Sequence, residues 1–428
     1  MNPFTSQRLK YVADVRFSNV DKLSEPDEIP VRLCNYTDVY KNERITHDMP
    51  FMEATASAAE IRRFGLHVDD VIFTKDSESP TDIAVPAVVA STAPDLVCGY
   101  HLAIARPHTA RLSGRFLLRA LQATGVREQF YMQANGVTRF GLSQAAIGNV
   151  RVPVPPLNEQ ARIADFLDRK TASIDTLIEK QEQLLALLAE KRQALITQAV
   201  TKGLDPNVPM KDSGVEWIGA IPAVWRVARI RHVAKLESGH TPSRQHPEWW
   251  IPDECTIPWV SLADVWKLRD GVTEYISDTT EKISEAGLAN SSARLLPAKT
   301  VILSRTASVG FSAIISVPMA TTQDFVNWIC GPSVLPEYLL YVLRAMKPEF
   351  ARLTQGSVHR TIYMPDVARL VMPVPSLGEQ QRIVTHVRSE LRRLDAISQR
   401  VQAMIEKLRE YRQALITAAV TGQLDVTS

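Results

Sequence analysis

The chain has 428 residues, which is long enough for two or more domains that each bury their own core. Its apolar content of 45% and charged content of 22% are those of an ordinary globular protein. The formal net charge of only +2 excludes a strong overall basic field, so any nucleic-acid partner would have to be held by local patches.

Three kinds of signal are missing from the sequence. Cys34, Cys98, Cys255 and Cys330 show no metal-ligand spacing, and the scattered histidines show none either, so we expect no metal site. The first eight residues lack the apolar core of a signal peptide, and no run of about 18 apolar residues exists. We therefore expect a cytoplasmic protein without a membrane partner.

The first block, residues 1–152, is rich in Pro, Gly and Ser and predicts a mixed α+β domain with short elements. Residues 71–75 form an apolar run that ends in Thr74-Lys75, which predicts a strand followed by a polar, basic loop. This run resembles residues 301–305 of a second block. Residues 116–121 likewise resemble residues 338–343, and both predict a buried helix. We infer a shared scaffold with divergent loops, which is typical of domains that bind two different ligands.

A repeated block follows each variable block. Residues 153–163, Pro-Val-Pro-Pro-Leu-Asn-Glu-Gln-Ala-Arg-Ile, return at 373–383 as Pro-Val-Pro-Ser-Leu-Gly-Glu-Gln-Gln-Arg-Ile. Arg-Gln-Ala-Leu-Ile-Thr at 192–197 returns unchanged at 412–417. Between residues 152–205 and 372–425, 22 of the 54 positions are identical without a gap, at an offset of 220 residues. This period is too long for a solenoid, so it indicates a duplicated domain pair.

Each copy of the repeat predicts one long helix, near residues 158–201 in the first copy and 378–421 in the second. After the Pro-rich lead, neither copy contains another proline before Gly203 or Gly422, so each helix would run for about 45 residues, or roughly 65 Å. Ser376 and Glu379 have the spacing of a capping box. Apolar residues recur every seven positions, which is typical of a left-handed coiled coil. The predicted core of the coiled coil consists of Leu167, Ile174, Leu188, Leu195, Val387, Leu394, Val401, Leu408 and Leu415.

Chain order sets the direction of this pairing. The first helix leads from the first variable block to the second, so a helix that pairs with it and follows the second block most simply runs antiparallel. Ile178, Leu185, Leu177 and Leu184 are expected to widen the first apolar seam, and Ile397, Met404 and Ile405 the second. The predicted fold is thus α+β, with two globular domains joined by two long helices in an antiparallel coiled coil with pseudo-two-fold internal symmetry. The predicted segments are 1–152, 153–203, 204–371 (a Pro- and Gly-rich linker and the second domain) and 372–428.

No motif for catalysis is found. The chain has no phosphate-binding loop, no dinucleotide-binding glycine motif, no nucleophile elbow and no Asn/Asp-Pro-Pro-Tyr/Phe box. We predict a binding protein without catalytic residues.

Together, these features resemble the specificity subunit of type I restriction–modification enzymes. The resemblance rests on the two Pro-Val-Pro leads, the two Arg-Gln-Ala-Leu-Ile-Thr segments, the run from Asp212 to Trp225, and the segments 238–243 and 257–260. It covers essentially the whole chain. The first copy departs from the pattern, because it lacks the Trp-Ile-Gly-x-Ile-Pro opening and has residues 74–78 in place of the Gly-containing loop 304–310.

The resemblance implies two target-recognition domains that each read one half of a bipartite, asymmetric site in double-stranded DNA. It also implies that the helices scaffold two adenine-methyltransferase subunits and, in a complete restriction system, two motor–nuclease subunits. S-adenosylmethionine, ATP and Mg²⁺ are expected on those partners and not on this chain. The sequence alone leaves two alternatives open: a structural coiled-coil adaptor with two protein-binding heads, and a complex that modifies DNA without a motor subunit.

Loop residues with donor and acceptor side chains are the candidates for contacts with DNA, since such side chains read base edges and hold phosphates. In the first block the predicted DNA-binding residues are Lys75, Gln133, Asn135, Thr138 and Arg139. In the second they are Thr241, Ser243, Arg244, Arg305, Thr306, Ser308, Gln355, Ser357, His359 and Arg360.

Overall fold

A computed structural model of the chain describes residues 4–355 and 360–426. The chain divides into two compact units: a first unit of residues 1–183 and 402–428, and a second unit of residues 184–401. Each unit therefore combines a variable block with parts of both repeat copies. Within the described residues, no helix is apolar enough over a sufficient length to cross a membrane.

The first unit is built around a five-stranded sheet of order β2-β10-β6-β8-β4 and a three-stranded sheet of order β5-β3-β9. Strand β6 is buried on both faces: Val71 and Phe73 pack towards the helices, and Ile72 packs towards the smaller sheet. Its strands are β1 (Ser6–Arg8), β2 (Ala13–Phe17), β3 (Ile29–Cys34), β4 (Arg44–Ile45), β5 (Met52–Ala56), β6 (Val71–Thr74), β7 (Asp76–Ser77), β8 (Pro86–Val89), β9 (Leu96–Cys98), β10 (Leu102–Pro107), β11 (Phe140–Gly141) and β12 (Arg151–Pro153). Its short helices are α1 (Tyr36–Lys41), α2 (Ala58–Phe64), α3 (Gly114–Gln122), α4 (Thr124–Gln133) and α5 (Gln144–Asn149).

The second unit repeats this scaffold. Its five-stranded sheet has the order β16-β23-β20-β21-β18, and its three-stranded sheet the order β19-β17-β22, with the same combination of one antiparallel and one parallel pair. The predicted common scaffold is therefore present. The strands are β13 (Met210–Asp212), β14 (Ala220–Pro222), β15 (Arg226–Arg229), β16 (Ala234–Ser238), β17 (Ile257–Val260), β18 (Tyr275–Ile276), β19 (Glu281–Ile283), β20 (Val301–Ser304), β21 (Ser312–Ile315), β22 (Ala320–Thr321), β23 (Phe325–Cys330) and β24 (Val371–Val374). The short helices are α7 (Glu285–Ala289), α8 (Pro336–Ala345), α9 (Lys347–Leu353) and α10 (Met364–Val367).

The two long helices are α6 (Leu157–Lys202) and α11 (Leu377–Val420), within one residue of the predicted bounds at each end. Gly203 and Gly422 follow them with φ of 73° and 70°, the left-handed conformation that glycine supplies at helix ends. At the start of α11, the hydroxyl of Ser376 accepts from the amide of Glu379 as the capping box predicts. The carboxylate of Glu379, however, accepts a hydrogen bond of 2.9 Å from the indole of Trp225 and so ties the helix to the second unit.

Contacts inside each unit confirm that the helices pair antiparallel. In the first unit, Arg412 contacts Asp175 at 2.8 Å and Arg409 contacts Glu182 at 2.8 Å. Residue numbers therefore rise along α6 in the direction in which they fall along α11. In the second unit, Arg192 pairs with Asp395. These last two residues are the repeat partners of Arg412 and Asp175, 220 positions away in each case. The same contact is thus made twice with the roles of the two helices exchanged, as pseudo-two-fold symmetry requires.

The predicted seam residues are buried or half-buried. Leu167, Ile174 and Leu415 belong to the core of the first unit, with Leu408 packed against it; Val387 and Leu394 belong to the core of the second, with Leu188 and Leu195 packed against it; Val401 is also buried.

Four of the residues that were expected to widen the apolar seam are exposed instead, so the prediction was wrong for them. Leu177, Leu184, Ile397 and Met404 keep 41%, 37%, 43% and 49% of their surface exposed. A two-helix seam covers only a narrow stripe of each helix, so apolar residues outside that stripe remain open to solvent.

Candidate nucleic-acid interface

In the first unit, three predicted DNA-binding residues meet where β6 ends and β10 begins. The amide of Lys75 donates to the carbonyl of His101 at 3.2 Å, and the carbonyl of Lys75 accepts from Leu142 at 2.9 Å. Strands β7 and β11 continue this link as a short ribbon, and Asn135 exchanges backbone hydrogen bonds with Gly141 just beyond it. The ribbon therefore brings Lys75, Asn135 and Arg139 to one edge of the unit.

The centre of this edge is a cluster that sequence reasoning missed. Asp76 contacts Nδ1 of His101 at 2.8 Å with one carboxylate oxygen and accepts from Arg139 at 2.6 Å with the other. The hydrogen bond to Asp76 raises the pKa of Arg139. Arg139 nevertheless keeps 58% of its side chain exposed, so the carboxylate positions a guanidinium that still faces solvent. The sequence did contain one signal for this cluster: Asp76 directly follows Lys75, where strand β6 passes into the loop.

The loop that carries Arg139 makes a tight turn. Gly136 has φ of 153°, and a Cβ added there would lie 1.9 Å from the carbonyl oxygen of Arg139, so only glycine fits. Gln133, Asn135 and Thr138 are all exposed on this turn, and the side-chain amide of Asn135 donates to the carbonyl of Gln133 at 2.9 Å. The turn presents amide, hydroxyl and guanidinium groups to solvent, which are the groups that bind base edges and phosphates.

Lys75 differs from its neighbours, because its ammonium is partly enclosed by the protein. Its Nζ lies 5.0 Å from the ring centre of Phe17 and donates to the carbonyl of Ser18 at 3.4 Å. Burial lowers its pKa. Lys75 thus holds the base of the loop, while Arg139 is the more accessible cation.

In the second unit, the corresponding edge lies between β20 and β23. Its loop is closed by the carbonyl of Arg360, which accepts from Ala307 at 2.8 Å, and by a bridge between Thr306 and Thr361. Arg305 donates from Nε to the carbonyl of Gln323 at 2.9 Å and from Nη1 to the carbonyl of Ile362 at 3.3 Å. Arg305 therefore secures the loop, and Arg360 is exposed at its surface.

The other predicted residues of the second unit have different environments. The hydroxyl of Thr241 donates to the side chain of Gln323 at 2.7 Å, which links it to the Arg305 loop. Ser308 follows Ala307, which has φ of 58° in the left-handed region. Gln355 is exposed just after α9. Ser357 and His359 lie outside the described residues.

A tryptophan-rich segment distinguishes the second unit. The guanidinium of Arg244 lies 3.6 Å from the ring centre of Trp250 and also pairs with Glu281 at 3.6 Å. Trp250 packs edge-on against Trp259, and the indole of Trp250 donates to the carbonyl of Ser243 at 3.1 Å. Stacking on tryptophan fixes the planar guanidinium, and 58% of the Arg244 side chain remains exposed. The sequence-based list included Arg244 and Ser243 but missed the tryptophans that hold them.

The two edges therefore occupy the same place on the scaffold and differ in chemistry. The first presents an acid–histidine–arginine cluster, and the second presents Arg305, held by backbone carbonyls, and the exposed Arg360. Within the described residues, no group of His, Cys, Asp and Glu could hold a metal ion. Two α+β units of one scaffold, each with its own loop edge and joined by repeated helices, define a protein with two recognition domains.

Comparison with known proteins identifies the family. The model of the "Type I restriction modification DNA specificity domain" family matches residues 38–186 and 222–407, which is most of the chain. The chain belongs to this family. The assignment made from the sequence, a specificity subunit and not an enzyme, is thereby confirmed.

Curated relatives carry corresponding names. The type I restriction enzyme MjaIX specificity subunit of Methanocaldococcus jannaschii is 32% identical over 170 residues, which are 39% of this chain and 38% of that protein. A putative type I restriction enzyme MjaX specificity subunit of the same organism is 20% identical over 372 residues, which are 86% of this chain and 81% of that protein. The first alignment thus spans well under half of the relative, and the second spans most of it.

Solved structures share the fold. A chain from the structure that describes complex assembly and conformational transition of the type I R-M system superposes with a TM-score of 0.69 at 19% identity, over 99% of both chains. The HsdS subunit of Thermoanaerobacter tengcongensis superposes with a TM-score of 0.55 at 18% identity, over 99% of this chain and 98% of that one. At such low identity these matches establish the fold alone, and they agree with the predicted α+β architecture.

Proposed function

We propose that this chain reads double-stranded DNA at a bipartite, asymmetric site, with one half-site bound by each unit. The observation that carries the proposal is the contrast between the two loop edges, which occupy one scaffold position with different side chains. Asp76, His101 and Arg139 form the first edge, whereas Arg305 and Arg360 form the second. Thr241 links the second edge to the segment in which Arg244 stacks on Trp250. Edges that differ in donors and acceptors select different base sequences.

The asymmetry of the site follows from the same contrast. A symmetric dimer presents the same edge twice and reads a palindrome. Here one chain supplies both edges, and the side chains at corresponding positions differ. We therefore expect the two half-sites to be unrelated in sequence, although the scaffold is duplicated.

The repeated helices would bind the partner subunits. Leu177 and Leu184 are exposed on α6, and their repeat partners Ile397 and Met404, 220 residues later, are exposed on α11. Exposed apolar residues at matched repeat positions would give two copies of one partner equivalent side chains to pack against. We propose two methyltransferase subunits as these partners, joined in a complete restriction system by two motor–nuclease subunits.

The chemistry would reside on the partners. We propose that the methyltransferase subunits supply S-adenosylmethionine and transfer its methyl group to adenine, and that motor subunits use ATP and Mg²⁺. The present chain would contribute sequence recognition and position the partners. As a protein that acts on the cell's own DNA, it would work in the cytoplasm of its host.

Mapping of methylated adenines in a chimera tests the proposal. Residues 153–428 are kept, and residues 1–152 are taken from a relative with another specificity. The chimera should methylate a hybrid site in which only one half has changed, since each edge is built within one unit and distant contacts contribute nearly independently. The parent chain with its own residues 1–152 is the control. A chimera that changed both half-sites together would refute independent recognition.

The alternative role is that of a structural adaptor that binds proteins at both units. The near-neutral net charge of +2 and the exposed apolar residues of the helices favour it. A gel-shift experiment with duplex DNA, with and without the methyltransferase partner, distinguishes the two roles. An adaptor would leave the DNA unshifted in both cases, and a recognition subunit would shift it sequence-specifically in the assembled complex.

A further inference from the structure

A cleft recurs in both units where the repeated Arg-Gln pair of a long helix meets the variable block. In the first unit it is lined by Arg412 and Gln413, and in the second by Arg192 and Gln193, which are their repeat partners. The side-chain amide of Gln413 donates to the carbonyl of Gln122 at 2.7 Å, and that of Gln193 donates to the carbonyl of Arg344 at 3.0 Å. These two sites are called the first and the second cleft.

The first cleft contains its own carboxylate. Glu43 accepts hydrogen bonds from Arg119 at 2.8 Å, from Arg412 at 2.5 Å and from Gln122 at 2.7 Å. Glu43 therefore neutralises the helix arginine of this cleft, which Lys41 and Arg127 also line, and the cavity is about 260 Å³.

The second cleft lacks an equivalent acid. Gly271 stands in the place of Glu43, since both Arg192 at 2.9 Å and Arg344 at 3.0 Å donate to its carbonyl oxygen. The carbonyl oxygen of Gly271 carries only a partial negative charge, whereas the carboxylate of Glu43 carries a full one. Arg192 also pairs with Asp395, and Arg344 also donates to the carbonyl of Thr273 at 2.6 Å.

Two further cations line the second cleft. Arg269 and Lys347 are exposed, and neither has an ion pair in the part of the chain that the structure describes. Two acids lie near Arg344. Glu274 accepts from Arg388 at 2.7 Å and from the hydroxyl of Tyr341, and Asp270 accepts from the amides of Val272 and Thr273 at 2.8 and 3.0 Å. The cleft therefore retains uncompensated positive charge at its mouth.

The lining of the second cleft is largely apolar, with Ala189, Ile196, Leu268, Val309 and Phe311. Ser312 also lines the cleft, but its hydroxyl oxygen is enclosed by protein atoms. The walls therefore suit an apolar group.

We propose that the second cleft binds an organic anion that consists of a compact apolar body and one carboxylate. The apolar walls would enclose the body, and Arg269 and Lys347 would hold the carboxylate. The cavity of about 360 Å³ lies near the lower end of small-molecule sites, which suits a body about the size of an indole. A free aryl carboxylate and the carboxyl terminus of a peptide share this chemistry. None of the predicted DNA-binding residues that the structure describes lines this cleft.

Isothermal titration calorimetry of the full chain tests the proposal. Indole-3-propionate represents the free acid, and acetyl-Gly-Trp with a free carboxylate represents a peptide terminus; the amide of each is its uncharged control. We expect one site per chain for at least one of the two acids and about tenfold weaker binding of its amide, since a charge-assisted hydrogen bond contributes roughly 1.4 kcal/mol or more. Binding of only one acid identifies the source of the natural ligand.

Variants locate the site. Arg269→Ala and Lys347→Ala should each weaken binding about tenfold, and the double variant should abolish it. Lys41→Ala, which removes a cation from the first cleft, is the matched control and should leave binding unchanged. Thermal unfolding followed by circular dichroism checks that each variant is folded.

Two results would overturn the proposal: no heat with either acid at millimolar concentration, or undiminished binding by the double variant. Gel shifts with the same variants keep this outcome apart from the proposed function. A double variant that still binds DNA but not the acid supports the site. A chain that binds the acid but never DNA would refute recognition of DNA and leave the site in place.

Discussion

The two long helices present opposite charges to their units at one and the same repeat position. In the first unit, Asp168 of α6 accepts from Arg44 at 2.5 Å, from Arg115 at 2.7 Å and from Arg119 at 2.9 Å. In the second unit the repeat partner of Asp168 is Arg388 of α11, which donates to Glu274 at 2.7 and 2.9 Å. Both the helix residue and its partners have exchanged sign.

Other contacts are the same in both units. Gln160 accepts from the amide of Ser113 at 2.8 Å, and its repeat partner Gln380 accepts from the amide of Leu335 at 2.9 Å. Each glutamine also donates to two backbone carbonyls. The glutamines contact backbone groups, which any sequence provides, so these contacts could form with either variable block. The charged residues Asp168 and Arg388 each need partners of opposite charge, which only one of the two blocks provides. Each variable block is therefore matched to its own helix copy.

Charge reversal at Asp168 should have the largest effect. Asp168→Arg places a cation against Arg115 and Arg119, of which Arg119 is only 3% exposed. We expect the free energy of unfolding to fall by about 3–5 kcal/mol, the cost of leaving a buried charge without its partner. Urea denaturation measures it. Asp165→Arg is the control, since Asp165 is 52% exposed and forms an ion pair only with Arg115 among the described residues. This substitution should cost under about 1 kcal/mol. Equal losses of unfolding free energy in the two variants would show that the charge at residue 168 does not determine which variable block fits α6.

The seam of the second unit can be tested with two adjacent leucines. Leu188 packs against the core, whereas Leu187 is 60% exposed. Leu188→Asp should cost several kcal/mol, since it puts an unpaired charge into the seam, and Leu187→Asp should cost little. In the first unit, Leu408→Asp should behave as Leu188→Asp does. Denaturation curves of the three variants are compared, and a tolerated Leu188→Asp would contradict the placement of the seam.

The glutamine contacts that occur in both units should stabilise the two units to the same extent. Gln160→Ala and Gln380→Ala each remove one acceptor and one doubly used donor that are fully buried. We expect a loss of about 2–3 kcal/mol in each case, with a difference between them of under about 1 kcal/mol. Hydrogen exchange of the amides of Ser113 and Leu335 reports each loss locally. A large imbalance would mean that only one unit depends on this glutamine.

The two loop edges should affect different halves of the DNA site. Arg139→Ala should weaken recognition of one half-site and Arg360→Ala that of the other, by about 1–3 kcal/mol if each guanidinium binds a guanine. Binding of the assembled complex to duplexes altered in one half-site at a time measures this. Lys10→Ala, which removes an exposed cation outside both predicted sets, is the control. Unchanged affinity and site preference in both arginine variants would contradict the placement.

Acid should weaken the first unit through its paired carboxylates. Burial alone would raise the pKa of Asp168 and of Glu43, but their arginine partners outweigh it and lower both values from 3.8 and 4.5. The unfolded chain therefore binds these protons first, so the stabilisation is complete above about pH 5 and is lost as the pH falls through the folded-state pKa values. Denaturation from pH 7 down to pH 3 should show a shallower decline for Asp168→Asn than for the parent. An identical slope would argue against this linkage.

Much of the architecture was determined by the sequence itself. The gapless repeat, the heptads and the terminal glycines define two long helices to within a residue, because helix period and helix ends are set by local chemistry. The antiparallel direction followed from chain order alone. The loop candidates Lys75, Asn135 and Arg139 did come together at one edge, since each flanks a strand of a shared scaffold.

Only the tertiary structure decided which distant groups meet. Asp76 and Arg139 are 63 residues apart, and Arg412 reaches Glu43 across 369 residues. No periodicity or motif encodes such pairs, because they depend on strand order and on which helix copy packs against which block. The same holds for the exposure of Leu177 and Met404. A heptad pattern marks apolar positions, but the width of the buried stripe is set by what packs against the helix.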